Sequence, residues 1–176
     1  MTKMLSIIFI SSSFATCFIE AGNYYGINPY ILYAIAKVES GLNPYAVEVI
    51  SKKKLSVNCP YKYKNGKYHY SCTPENKSEA VKIVKLAEKV GANYSLGLGQ
   101  INKIWIRWYK LNAEKLFDGC YNIYWSAYIL NECYNLFGNS WKTVDCYNKG
   151  LKAKASSDYV LKIYRELGRL IWRDFK

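Results

Sequence analysis

The chain has 176 residues, 51% of them hydrophobic and 16% aromatic, which suits one domain with a sizeable core and excludes a disordered polymer. Its net charge of +12 fits an anionic partner: nucleic acid, a membrane surface or a wall polymer. With one histidine, His69, six cysteines but no Cys-x-x-Cys pair, and no Gly-Lys-Ser or Gly-Lys-Thr phosphate loop, the sequence argues against a zinc site, a histidine-based triad and a nucleotide cradle.

In chain order, Lys3, the apolar run Leu5–Ile10 and Ser13-Phe14-Ala15 have the charged start, apolar middle and small-x-small end of a secretory signal. They predict a leader over residues 1–15 and a single domain over 16–176, with no transmembrane segment once the leader is cleaved, because the apolar run is too short to span a bilayer. Phe14-Ala15-Thr16-Cys17 reads alternatively as a lipoprotein signal, with Thr16 before the cysteine against it. Export places the protein in the periplasm or cell-wall space, argues against nucleic acid as a partner, and makes the six cysteines, all beyond Ala15, candidates for disulfides.

A short helix is predicted over Phe18–Tyr25, closed by Gly26. Pro29 opens a second, with Ile31, Ala34, Ile35 and Val38 at helical spacing and Gly41 and Pro44 ending it. Glu39 falls at the end of that helix, where most carboxylates are merely solvated, so its meaning has to come from the rest of the chain.

Residues 59–72, CPYKYKNGKYHYSC, read as a β-hairpin turning at Asn65-Gly66, the dipeptide that best tolerates positive φ at both turn positions. That turn places Tyr63 opposite Tyr68, Tyr61 opposite Tyr70, and Cys59 opposite Cys72 at a non-hydrogen-bonded site close enough for a disulfide. Pro60 removes a ladder donor and assigns its strand to an edge. One face is aromatic and the other carries lysines; the hairpin, about residues 57–74, is read as a self-contained surface insertion in preference to a polymer contact.

Asn76-Lys77-Ser78-Glu79 caps a helix carrying Ala80, Ile83, Val84, Ala87 and Val90 to Gly91. Further helices are predicted at about 100–110, 120–137, 140–148 and 157–173, the last with Val160, Ile163, Leu167, Leu170 and Ile171 on its apolar side. No repeat or linker divides the chain. The predicted class is mainly α within an α+β plan: one helical domain with a small disulfide-linked hairpin.

What remains is carboxylate chemistry assisted by amides and tyrosines. Three stretches carry it: Glu39-Ser40-Gly41-Leu42-Asn43-Pro44, then Ser95-Leu96-Gly97-Leu98-Gly99-Gln100-Ile101-Asn102, then Cys146-Tyr147-Asn148-Lys149-Gly150. In this order they resemble the three motifs of the lysozyme-like lytic transglycosylases, which cleave the glycan strands of peptidoglycan, and the resemblance covers essentially the whole mature chain. Asn76-Lys77-Ser78-Glu79-Ala80-Val81, and Asn93-Tyr94 leading into SLGLGQIN, are similar to the branch serving type IV secretion and conjugation. So are Phe117-Asp118-Gly119-Cys120-Tyr121-Asn122-Ile123 and Ala127-Tyr128-Ile129-Leu130 followed by Cys133. Gly99 stands where the broader motif has Met, as is typical of that branch, and Cys146 where it has Ala, with Cys133 as its partner.

The resemblance implies a lysozyme-like fold with Glu39 as the single catalytic acid, kept protonated near neutral pH by apolar neighbours such as Val38 and Leu98. Glu39 would then act as base on the sugar's 6-hydroxyl, giving a 1,6-anhydromuramoyl end, with the substrate's N-acetyl group in place of a second carboxylate. Ser40, Gly97, Gln100, Tyr147 and Asn148 are the implied substrate contacts: amides pair with hydroxyl and acetamido groups, the tyrosine stacks, and the glycines allow close approach or a tight turn. The resemblance also pairs Cys17 with Cys120, completing a set with Cys59–Cys72 and Cys133–Cys146. No metal or cofactor is expected; the expected partners are peptidoglycan and components of a secretion or conjugation apparatus. A hydrolytic muramidase and a non-catalytic wall-binding assembly module compete, and the joint presence of Glu39, Gln100, Tyr147 and Asn148 favours the enzyme.

Overall fold

The computed structural model of the protein describes residues 12–174, so residues 1–11 of the predicted leader lie outside the described residues. Helix α1 (Ser12–Tyr25) begins earlier than the predicted Phe18. Helix α2 (Pro29–Ser40) has both ends built from local chemistry. Asn28 accepts a hydrogen bond from the Tyr30 amide at one end, and left-handed Gly41 (φ 63°) lets the chain fold back at the other. Asn43 then ties the turn to the following segments, accepting from the Tyr45 amide and donating to the Pro74 carbonyl.

The sheet is larger than the sequence suggested. Strands β1 (Val47–Ser51), β2 (Tyr61–Lys64), β3 (Lys67–Cys72), β4 (Asn93–Leu96) and β5 (Ile101–Asn102) form one antiparallel sheet in the order β2-β3-β1-β4-β5. Tyr63 faces Tyr68 and Tyr61 faces Tyr70 around a turn with Asn65 and Gly66 both at positive φ, and β2 is an edge. The hairpin is not self-contained, however: β3 pairs with β1 from Cys72 opposite Val47 to Tyr68 opposite Ser51. Strand β1 buries Val47, Val49 and Ser51 and turns Glu48 to solvent, a two-residue alternation too short to be read with assurance from five positions.

The remaining helices are α3 (Lys77–Lys89), α4 (Lys103–Trp108), α5 (Gly119–Phe137), α6 (Trp141–Lys149) and α7 (Asp158–Asp174). The helix predicted from about residue 100 starts at Lys103, because Ile101 and Asn102 pair with Leu96 and Ser95 and the Asn102 side chain caps α4. On α7, Val160 and Ile163 are buried and Leu167 is half-buried, whereas the side chain of Ile171 lies outside the described residues. Among the described residues no helix is long and apolar enough to cross a membrane.

Two cores result. Val47, Val49, Tyr70, Tyr94 and Leu96 of the sheet pack with Ala80, Val84 and Ala87 of α3. Leu32 and Ile35 of α2 pack with Ile123 and Leu130 of α5, Ile163 of α7 and Leu98. Each fully buried Leu or Ile contributes about 1.5–3 kcal/mol. Tyr147 packs against both cores and so joins the two lobes. Disulfides link Cys17 with Cys120, Cys59 with Cys72 and Cys133 with Cys146, at Cα–Cα distances of 5.2, 5.0 and 5.7 Å. The first spans 103 residues and fastens α1 to α5; a closed loop of that length corresponds to roughly 4–5 kcal/mol in the chain-entropy account.

Candidate active site

Two adjoining chambers, of about 720 and 380 Å³, form a groove between the lobes and share Glu39, Glu48, Gln100 and Asn148 on their walls. The larger volume lies in the range of ordinary ligand sites. Glu39 enters from the C-terminal end of α2, Glu48 from the outward face of β1, Gln100 from the turn before β5, and Asn148 from the end of α6.

Glu39 is half-buried, and its pKa is raised to about 7. Burial is the main cause; the Glu48 carboxylate adds to the rise, while the Tyr159 hydroxyl and the Lys162 ammonium act against it. The negative end of the α2 dipole works in the same direction as burial. Near neutral pH the carboxyl is therefore divided between its acid and base forms, as a group that must first give and then take a proton requires.

The amide of Gln100 is held in place. Its Nε2 donates to the Ala46 and Gly97 carbonyls at 3.1 and 2.9 Å, which leaves the amide oxygen as the free acceptor. Asn148 is exposed, and its side-chain amide has no hydrogen-bond partner among the described residues. Tyr147 lines the larger chamber, but its hydroxyl donates to the Gly99 carbonyl at 2.6 Å, fixing the ring across the lobe boundary. Ser40 lines the smaller chamber with its hydroxyl donated to the Ala36 carbonyl one helical turn back.

The two glycines serve the scaffold. Gly97 is buried at φ 75°, and a Cβ there would collide with the Asn122 amide and the Leu116 carbonyl; it lies beneath the groove and does not line it. A Cβ at Gly99 would run into the hydroxyls of Ser126 and Tyr147, which explains why no larger side chain stands there. Asn122, fully buried, organises this turn: its Nδ2 donates to the Leu96 and Leu116 carbonyls and its Oδ1 accepts from the Gly99 amide.

Several groove residues are not evident from the motifs. Glu48 is visible only once β1 is recognised as a strand. Trp105 and Trp108 of α4, with Tyr109 after it, stack at 5.7 to 6.4 Å between ring centroids, and Trp108 is 72% exposed in the larger chamber. Tyr159 sits on the apolar side of α7, its hydroxyl buried without a hydrogen-bond partner of good geometry yet facing the Glu39 carboxyl. A buried hydroxyl without a partner is costly, and the Glu39 carboxyl is the group beside it that can accept its hydrogen bond. Tyr159→Phe should leave the thermal midpoint unchanged or higher and slow turnover roughly tenfold, the weight of one such hydrogen bond. Because the hydroxyl holds the Glu39 pKa down, its loss should move the alkaline limb of the pH–rate profile to higher pH; an unmoved limb would remove Tyr159 from the acid's environment.

A helical lobe and a small antiparallel sheet meeting at a groove, with one carboxyl poised where the chambers join, define a lysozyme-like α+β domain. Within that class the chain belongs to the transglycosylase SLT domain family, whose model matches residues 16–159. It is 30% identical over 106 residues to the type IV secretion system protein virB1 of Brucella abortus, Brucella melitensis and Brucella suis. The match takes in 60% of this chain and 38% of each relative, so the matched part spans about two-fifths of the relatives' length. No solved structure matches the chain.

Proposed function

We propose that the protein is a lytic transglycosylase that cleaves the β-1,4 bond between N-acetylmuramic acid and N-acetylglucosamine in peptidoglycan, acting in the periplasm or cell-wall space. The observation that carries this reading is Glu39, a carboxyl with its pKa raised to about 7 at the junction of two groove chambers. Protonated Glu39 donates to the glycosidic oxygen as the bond breaks; the resulting carboxylate then accepts the proton of the 6-hydroxyl as that oxygen attacks the anomeric carbon. Proton count and charge balance with no water consumed. The Gln100 amide oxygen and the unpaired Asn148 amide offer hydrogen bonds to sugar hydroxyl and acetamido groups, and the exposed Trp108 ring offers an apolar face for a sugar. Similarity to proteins named for type IV secretion supports a role in opening the wall for a secretion or conjugation apparatus.

A hydrolytic muramidase is the second reading, and one observation favours it: Glu48 shares both chambers with Glu39 and is a carboxylate free to direct a water. Either enzyme should release soluble fragments from purified sacculi, with kcat/KM falling about tenfold per unit above roughly pH 7 as Glu39 loses its proton. Binding of sacculi without release at any pH from 5 to 8 would mark a non-catalytic module.

A further inference from the structure

Strand parity sorts the hairpin's side chains onto two faces. Tyr61, Tyr63, Tyr68 and Tyr70 share a face with the buried Val47 and Val49 of β1. The other face is the one on which Glu48, Ser71 and Ser95 line the groove. Followed outward along β3 and β2, that face carries His69, Lys62, Lys67 and Lys64. The lysine face is thus a continuation of the groove's sheet wall, not a separate surface.

The charge on it is one-sided. From Val49 to Pro74 the chain has six lysines and no Asp or Glu. Lys62, Lys64 and Lys67 are exposed, and none takes part in an ion pair among the described residues. Lys64 and Lys67 stand directly opposite each other, a like-charge pair that disfavours the hairpin. Lysines on an edge strand guard against stray pairing, which accounts for Lys62 and Lys64 on β2 but not for Lys67, which lies on the interior strand β3. The Cys59–Cys72 disulfide fixes the base of the hairpin where Cys72 borders the groove, so the lysines are held at a set distance from it. Four residue steps separate Ser71 from Lys67, about 13 Å along β3. An extended peptide of four or five residues covers that span.

We propose that this lysine face recognises the acidic peptide stems of the peptidoglycan strand whose glycan occupies the groove. The inference rests on the reading of the groove as a peptidoglycan site. Stem peptides carry side-chain and terminal carboxylates, and ammonium groups on a rigid hairpin meet them as point charges without needing a single geometry. Recognition of the stem would favour peptide-bearing strands over bare glycan and set how the strand lies in the groove.

The test uses Glu39→Gln protein, so that the substrate is not consumed, with and without Lys62→Gln, Lys64→Gln and Lys67→Gln together. Binding is measured by co-sedimentation with intact sacculi and with phosphatidylglycerol vesicles, and by capture on the immobilised protein of the stem-free glycan strands that an amidase releases from sacculi. The lysine substitutions should weaken binding to intact sacculi about tenfold, the combined weight of three exposed charge contacts, and flatten its dependence on salt. Binding to stripped glycan should change no more than about twofold on the same grounds. Equal loss on intact sacculi and on stem-free strands, or no loss on intact sacculi, overturns the proposal. Lysine-dependent binding to vesicles with unchanged binding to sacculi also overturns it and makes the face a membrane contact. If the Glu39→Gln parent binds neither sacculi nor stem-free strands, the peptidoglycan reading of the groove itself fails, and this proposal with it; if it binds both without regard to the lysines, only this proposal fails. The three lysines are exposed, and an unchanged circular dichroism spectrum confirms that the substituted hairpin is folded.

Discussion

Glu39→Gln is expected to lower turnover on purified sacculi by about 10²–10⁴-fold, the usual weight of a positioned acid–base group, while making the protein more stable at alkaline pH. The stability part follows from linkage. Glu39 has a pKa of about 7 in the folded state against an ordinary 4.5, so the folded protein holds this proton more tightly than the unfolded chain. The stability carried by the group is therefore complete below pH 4.5 and is lost as the pH rises toward 7. At about 1.4 kcal/mol per unit, the loss amounts to at most about 3.5 kcal/mol, less whatever solvent in the groove relieves. Gln keeps the shape and cannot ionise, so it escapes that loss. Thermal midpoints of the two proteins should lie close together near pH 4.5 and diverge toward pH 8 in favour of the variant. Keeping a desolvated carboxyl at this position thus costs stability at alkaline pH, as is common where a site holds an unfavourable charge. Equal turnover would remove Glu39 from the mechanism, and a pH-independent midpoint difference would show that its carboxyl is not desolvated.

What could be read from the sequence was local. Each end of α2 is marked by a residue beside it, Pro29 at the start and Gly41 at the finish, and the hairpin register is set by Asn65-Gly66, so both elements and the position of Glu39 were legible. Strands β1, β4 and β5 have five, four and two residues, too few for a period to declare itself, and their pairing joins Val47 to Leu96 and Cys72 far along the chain. Glu48 was lost with β1. Tyr159 was not singled out in the sequence: it stands four residues before Ile163 on the apolar side of its helix, but that its hydroxyl faces Glu39 depends on α7 packing against α2, which no local signal encodes. Motif matching marked Gly97, Gly99 and Asn122 without separating their roles. Only the buried amide network shows that the glycines make room for Asn122, Ser126 and Tyr147.

Digested sacculi are expected to yield muropeptides lighter than hydrolytic products by the mass of one water, with muramoyl ends that borohydride does not reduce. The argument turns on what the groove offers as a nucleophile. Hydrolysis needs a water held on the face opposite the leaving group, and a carboxylate to hold it. Glu48 and Glu132 are the other carboxyls on the groove, and Glu48 is the one whose charge acts on Glu39. Glu48 is exposed on β1, between Ser71 and Ser95 on the neighbouring strands, so nothing shields a water beside it from exchange with solvent. The 6-hydroxyl is tethered to the reacting sugar, and well-oriented intramolecular attack reaches effective concentrations of about 10⁵–10⁸ M, beyond any concentration water can attain. The tethered nucleophile should therefore win unless the protein excludes it. Glu48→Gln separates the cases. Glu48 raises the Glu39 pKa, so its loss should shift the alkaline limb of the pH–rate profile to lower pH and leave the product anhydro. If the wild type instead gives mainly reducible ends, and Glu48→Gln removes them, Glu48 is the base that delivers water and the enzyme is a muramidase.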